Sequence, residues 1–227
     1  MKQKRRILVC PLIIMVAFLI LASNCKKDKD DDNNNPVTPS GVTVTDTDGN
    51  VYHTVIIGEQ VWMSENLKTT KYRNGNPIPK VSDGTTWSNH SIGAYCNYNK
   101  YEDNSTTYGR LYNWYAVNDS RNIAPTGWHI PSDAEWTTLT TYLGGECVAG
   151  GNLKETGITH WQSPNTGATN KTGFTALPGG YRHCNGDFFC MCRNASFWSS
   201  TEHNCNDARY RKLGYDWWIQ PPSATTS

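Results

Sequence analysis

Few stretches of this 227-residue chain leave as little structural choice as Pro125 to Leu143, Pro-Thr-Gly-Trp-His-Ile-Pro-Ser-Asp-Ala-Glu-Trp-Thr-Thr-Leu-Thr-Thr-Tyr-Leu. Ser132 followed by Glu135 is a capping box. The serine hydroxyl accepts from the N–H three residues on and the glutamate reaches back to the serine's own N–H, which satisfies two orphan donors at a helix start. Trp136, Leu139 and Leu143 then recur at helical spacing, and Gly144-Gly145 supplies a left-handed stop. The spacing predicts a helix with one face in a core.

Upstream, Val42-Thr-Val-Thr alternates, Asp48-Gly49-Asn50 is a tight-turn signal, and Val51 to Ile57 alternates again. This predicts a β-hairpin, and Gln60 to Met63 a third short strand after the Gly58-Glu59 turn. Asp46-x-Asp48-Gly49 has the look of a calcium loop, but the position eleven residues after its first ligand is Ile57, where a bidentate Glu is required. From Lys68 to Thr107 the chain is rich in Asn, Gly, Ser and Pro, a long loop region of the kind that carries binding surfaces. Tyr108, Leu111, Tyr112, Tyr115 and Ala116 follow the i, i+3, i+4, i+7, i+8 pattern, which predicts a second helix with an aromatic stripe. Residues 144–173 read as loop, Phe174 to Arg182 and Ala195 to Thr201 as strands. Between the strands lies an insertion, His183 to Arg193, holding three cysteines. Two helices against short strands make an α+β domain. Nine Trp, twelve Tyr and 19 Gly fit short strands joined by many loops.

Four segments carry a family resemblance: Gly-Arg-Leu-Tyr-Asn-Trp-Tyr-Ala-Val (109–117), Gly-Trp-His-Ile-Pro-Ser-Asp-Ala-Glu-Trp (127–136), Phe-Thr-Ala-Leu-Pro-Gly-Gly-Tyr-Arg (174–182) and Phe-Trp-Ser-Ser-Thr (197–201). In this order they resemble the Fibrobacter succinogenes major paralogous domain, over about Val44 to Tyr215. That family is found mostly in secreted and lipid-anchored proteins and has no settled biochemical activity. Pro-Ser-Asp-Ala-Glu-Trp is also similar to a segment of the formylglycine-generating, sulfatase-modifying proteins, which implies a C-type-lectin-like fold. Family members usually end in a strand closing Gly-Phe-x-Val-Arg-Cys, whereas here the chain runs Asp216-Trp-Trp-Ile-Gln-Pro-Pro-Ser-Ala-Thr-Thr-Ser. The expectation is a missing C-terminal strand and an exposed sheet edge, with Trp217, Trp218 and Ile219 as substitutes.

The N-terminus reads as an export signal. Lys2, Lys4, Arg5 and Arg6 precede the apolar run Ile7 to Ala22, short of the roughly 20 residues a membrane span needs. Leu21-Ala22-Ser23-Asn24-Cys25 resembles a bacterial lipobox in which Cys25 is lipidated, with Asn24 departing from the usual small residue; the other reading is an ordinary secretory signal. Residues 26–36, Lys-Lys-Asp-Lys-Asp-Asp-Asp-Asn-Asn-Asn-Pro, hold no apolar group to bury and form a solvated tether. The expected layout is signal peptide 1–24, tether 25–41, domain 42–216 and divergent tail 217–227, on a surface-exposed, lipid-anchored protein of the bacterial outer membrane. Residues 1–35 contain seven Lys/Arg and four Asp, leaving 14 basic against 16 acidic residues beyond them, so no basic face for nucleic acid arises.

For chemistry, the six cysteines after Cys25 (Cys96, Cys147, Cys184, Cys190, Cys192 and Cys205) are disulfide candidates if exported, with free thiols and a metal site as alternatives. C-x5-C-x-C-x12-C matches no zinc pattern, and neither metal nor cofactor is expected. The formylglycine-generating relatives use a cysteine pair with copper, onto which Cys190 and Cys192 do not map. No G-x-S-x-G, H-E-x-x-H or phosphate-binding glycine loop occurs, and capping accounts for Glu135 beside His129. The calcium and sugar motifs of lectins are absent too. Stacking on a sugar by an exposed Trp87, Trp161 or Trp198 remains open. The expected function is a non-catalytic binding or adhesion domain for glycan or protein ligands, against an oxidase of the formylglycine-generating type or a structural envelope protein.

Overall fold

A computed structural model describes residues 42–204, 207–216 and 219–226. The expected signal, Cys25, the tether, Cys205, Trp217 and Trp218 lie outside the described residues.

The N-terminal hairpin forms as its alternation predicts. β1 (Thr43–Thr45) and β2 (Val51–Ile57) pair antiparallel with Thr45 opposite Val51, and β3 (Gln60–Met63) extends the sheet with Val55 opposite Trp62. Asp46 is the turn's organiser. Its Oδ1 accepts from the N–H groups of Asp48 and Asn50 at 2.9 Å each, and its Oδ2 from the Tyr52 hydroxyl at 2.7 Å. The 68–107 stretch is less irregular than its composition suggests, since it contains α1 (Gly84–Ser88), β4 (Tyr95–Cys96) and α2 (Glu102–Tyr108).

The second helix expected from Tyr108 to Ala116 does not form. Gly109 has φ 77°, and a Cβ there would stand 2.5 Å from Asn66 Cβ and 2.9 Å from Leu67 O. The chain therefore breaks after α2, makes β5 (Leu111–Tyr112) antiparallel to β4, and turns once more as α3 (Trp114–Val117), where Asn113 Oδ1 accepts from Ala116 N at 3.0 Å. The apolar spacing is compatible with a helix, but the left-handed glycine and the β4 partner decide otherwise.

The capping box behaves as expected. In α4 (Asp133–Tyr142), Ser132 Oγ accepts from Glu135 N at 3.3 Å while Glu135 Oε2 accepts from Ser132 N at 2.7 Å, and Trp136 and Leu139 are buried. A further helix, α5 (Glu146–Leu153), follows where a loop is expected. Its Gly150-Gly151 pair, part of the Gly-rich composition that suggests a loop, lets the chain at Gly167 approach: a Cβ on Gly151 would collide with the Gly167 carbonyl. Of the expected 174–182 strand only β6 (Tyr181–Arg182) is extended in a ladder, paired with β7 (Phe188–Phe189) inside the insertion.

β8 (Asn194–Asn204), β9 (Asp207–Gly214) and β10 (Ile219–Thr226) form a second three-stranded antiparallel sheet. The C-terminal strand is thus present, not missing, and β9 is paired on both sides. Gln220 faces Lys212 and Ser223 faces Tyr210, so Pro221 and Pro222 together oppose one residue. Such a bulge on an edge strand tolerates two residues without N–H donors, which is why the proline pair does not end the sheet and a tail that departs from the family's closing motif still supplies a strand. The first and last sheets are separate.

Three apolar clusters result. One joins Val55, Ile57, Trp62, Trp136, Leu139, Leu153, Trp161 and Phe174, a second is built around Tyr72, Tyr95, Tyr112 and Trp114, and a third is Val81, Trp87, Ala94 and Cys96. The described cysteines do not behave as a disulfide framework. Cys96, Cys147, Cys190 and Cys192 are unbridged thiols, and Cys184 Sγ lies 3.5 Å from His183 Nδ1. Cys96 is completely buried, which pushes its thiol up to about 11 and makes it a small hydrophobe of the core.

Candidate functional site

The clusters do not merge completely, and two cavities lie between them. Arg110, Leu111 and Tyr112 from β5 and its approach, Gly180, and Ser196 to Trp198 of β8 line both. The first, about 540 Å³, is closed on its other side by Gln60 and Trp62 of β3, Trp136 of α4, Phe174 and the loop Gly127–Pro131. The second, about 360 Å³, is completed by Trp87 of α1, Trp114, Tyr181, Arg182, Tyr210 and Lys212. Both volumes fall in the range of small-molecule sites.

Hydrogen bonds fix the common wall. Trp198 Nε1 donates to Tyr112 O at 2.8 Å and Trp136 Nε1 to Trp198 O at 3.3 Å, so neither indole can turn without losing a bond. The Trp62 and Trp136 rings are 4.7 Å apart between centroids, Trp136 and Phe197 5.6 Å, and Trp114 and Trp198 5.9 Å. The start of α4 is held from below. Arg211, only 2% exposed, pairs with Asp133 at 2.6 Å, and Arg209 reaches the same carboxylate at 3.3 Å. Arg73 holds the preceding loop through Ala124 O, Pro125 O and Trp128 O at 3.0, 3.0 and 2.5 Å.

Three residues of the first cavity's lining carry a buried polar atom without a partner: Gln60 Oε1, Trp62 Nε1 and Ser196 Oγ. The Gln60 amide is oriented, because its Nε2 donates to Glu135 O at 3.1 Å. Three residues of one aromatic-walled lining thus each carry a buried acceptor, donor or hydroxyl without a partner, each costing about 1–3 kcal/mol while unmade. His129 Nε2 lies 2.8 Å from Glu135 Oε1 on the same lining. Burial raises the Glu135 carboxyl, but the Ser132 N–H and hydroxyl and His129 outweigh it and hold the group below its ordinary value. Capping and His129 together occupy both oxygens of this carboxylate.

The charges differ sharply. Glu59, Glu65 and Glu135 line the first cavity with Arg110 and His129, whereas the second has Arg110, Arg182 and Lys212 and no Asp or Glu among its lining residues.

Of the tryptophans expected to stack on a ligand, Trp161 is a core residue, 2% exposed, with Nε1 donating to Ala176 O at 3.0 Å. It has no face for a sugar, because the Gly/Asn/Thr-rich segment around it folds over α5 instead of forming an open loop. Trp87 is also buried, with the Arg182 guanidinium 4.4 Å from its ring, though its edge lines the second cavity. Trp198 is partly buried and borders both cavities. Trp62, Gln60, Ser196, Arg110 and Arg182 escape single-residue reading. The signal that finds most of the walls is the set of four motifs, since 109–117, 127–136, 174–182 and 197–201 all contribute lining residues. Cys190 and Cys192, both in left-handed backbone, line neither cavity. Among the described residues no group of three or more His, Cys, Asp and Glu side chains could hold a metal ion, and no helix is long and apolar enough to cross a membrane.

A family model described as the Fibrobacter succinogenes major domain matches residues 55–222. The chain belongs to this family. Its matched region takes in all four motifs and all the residues named above on the two walls, and extends into β10. No curated protein and no solved structure matches the chain.

Proposed function

We propose that this member of the Fibrobacter succinogenes major domain family is a non-catalytic binding module of the cell surface, lipid-anchored at Cys25, whose first cavity takes a ring of a neutral glycan. The observation that carries this reading is the trio Gln60 Oε1, Trp62 Nε1 and Ser196 Oγ, buried and unpartnered on residues that line an aromatic-walled space. A sugar hydroxyl can donate to the glutamine oxygen and accept from the indole N–H, while the C–H face of the ring packs on Trp62, Trp136 or Phe197. The acidic groups of the lining favour a neutral or cationic guest over an anion. A C-type-lectin-like ancestry, with ligands held between loops over short strands, fits the same picture. Cys190 and Cys192 line neither cavity and Cys184 alone lines the second, so no cysteine pair stands in either cavity to favour the oxidase reading.

The test is calorimetric titration with neutral plant and bacterial-wall oligosaccharides, using wild-type protein and Trp62→Phe. The substitution keeps an aromatic face and removes the N–H. Binding weaker by roughly tenfold is expected, with a modest fall in melting temperature as the smaller ring leaves space in the first apolar cluster, partly offset by removal of the unmade donor. Equal affinities in the two proteins, or no glycan bound by either, would defeat the proposal. Loss of labelled palmitate incorporation in Cys25→Ala is the expected outcome for the anchor; unchanged incorporation would remove it.

A further inference from the structure

We propose that the second cavity is a separate site for a carboxylate-bearing ring, of the class of a uronic acid unit in an acidic polysaccharide. The proposal stands apart from the neutral-glycan reading, because Trp87, Trp114, Arg182, Tyr210 and Lys212 line only this cavity.

Its first support is how the two guanidinium groups are held. Arg182 donates from Nε to Gly186 O at 2.9 Å, from Nη1 to Val81 O at 2.7 Å and from Nη2 to Ser82 O at 3.1 Å. Arg110 donates from Nε to Lys68 O at 2.8 Å and from Nη1 to Asn97 Oδ1 at 3.1 Å. Every one of these acceptors is neutral, and neither arginine forms an ion pair among the described residues. Arg73 is likewise held by three carbonyls without an ion pair but lines neither cavity, whereas Arg121 pairs with Asp119 at 2.6 Å and Arg209 and Arg211 share Asp133. A partly buried cation without an anion is costly, and the charge is completed when the guest supplies it.

The second support is shape. The Arg182 guanidinium carbon stands 4.4 and 4.6 Å from the ring centroids of Trp87 and Phe188, and with its three carbonyl bonds the fork is fixed before a ligand arrives. Arg110 sits 5.0 Å over Tyr95. Arginine held in this way recognises planar carboxylate better than a freely rotating ammonium does. The Trp114, Trp198 and Tyr210 rings offer the apolar surface that a sugar face needs.

The experiment titrates the purified full-length chain with oligogalacturonate and, separately, with a neutral galactose oligomer of the same length, following tryptophan fluorescence. Saturable binding of the uronate is expected, weakening roughly tenfold between about 50 and 500 mM salt as the charge interaction is screened, with the neutral oligomer bound at least tenfold less tightly. Arg182→Gln should lose uronate binding by roughly tenfold or more, and Arg182→Lys should recover part of it. Near-UV circular dichroism of both variants establishes that the fold persists, and the salt titration of the wild type decides the matter without any variant. Equal binding of acidic and neutral oligomers, salt-independent binding, or no saturable binding of oligogalacturonate would overturn the proposal. The Trp62→Phe test on neutral glycans reads the first cavity alone, so the two ideas fail separately.

Discussion

The two cavities share a wall and differ in everything opposite to it. Leu111, Tyr112 and Ser196 to Trp198 face both, but β3, α4 and the loop before α4 bring Glu59, Glu65 and Glu135 to one, while α1, β6 and β9 bring Trp87, Arg182 and Lys212 to the other. Rigidity and charge therefore have different sources. The shared wall is rigid because Trp198 is bonded to Tyr112 O and itself accepts from Trp136. Apart from Arg110, which both share, each cavity's charge comes from side chains such as Glu59, Glu65, Arg182 and Lys212 that take no part in those two bonds. A scaffold of this kind can change ligand by substitution at one side while its core stays the same.

The most severe way to break the comparison is to remove what is common. Trp198→Ala deletes the indole that both cavities use and the donor to Tyr112 O. A loss of about 3–5 kcal/mol is expected from truncating such a side chain, with binding of neutral and acidic probes lost together. Urea denaturation and the two titrations measure this. Retention of one activity without the other would show that the wall is not shared in function.

A buried lysine sharpens the contrast between carbonyl-held cations. Lys154 Nζ donates to Thr166 O and Gly214 O at 2.9 Å each, as Arg182 does to its carbonyls, but it is wholly enclosed. Burial lowers its pKa from 10.5 to about 8, against the weaker attraction of Asp216. In the folded state the proton leaves near pH 8, whereas the unfolded chain keeps it to 10.5, so the unfolded state binds more protons between these values and stability rises with pH there. The neutral amine still has two N–H groups for the two carbonyls. Wild-type protein should gain on the order of 2 kcal/mol relative to Lys154→Met as pH rises through that window, read by thermal melts at several pH values. Cys96 works in the opposite sense: its pKa is raised to about 11, so its contribution is lost above pH 9, equally in both proteins. A flat difference between the two would mean that Lys154 is neutral or solvated throughout.

How much of this was legible depends on whether a local rule could decide. The 132–135 capping box and the 42–63 hairpin follow from near neighbours and formed as read. Tyr108 to Ala116 satisfies helical spacing equally well, but the outcome turns on Gly109 against Asn66 and on β4, neither of which spacing can register. The tail after Asp216 departs from the family's closing Gly-Phe-x-Val-Arg-Cys and so reads as a lost strand until its pairing with β9 is known, where Pro221-Pro222 becomes a bulge. The candidate site was visible as motifs but not as residues. Trp161 and Trp198 look alike in sequence, yet one is enclosed by α5 and its neighbours and the other borders two cavities.

The smallest predicted effect tests the division most finely. Ser196 lines both cavities, and its Oγ is buried without a partner. Ser196→Ala removes an unmade hydrogen-bonding group at little cost in packing, so stability should stay the same or rise by up to about 1 kcal/mol. Binding must then report which cavity the hydroxyl serves. Since Gln60 and Trp62, the other lining residues with unpartnered polar atoms, belong to the first cavity, the neutral oligosaccharide should weaken by a few-fold while the uronate, held through arginine, should change less. A fall in uronate affinity as large as that of the neutral ligand would place the hydroxyl on the arginine side. A clear loss of stability would instead mean that the serine is bonded in solution, and that the first cavity has one fewer group awaiting a ligand.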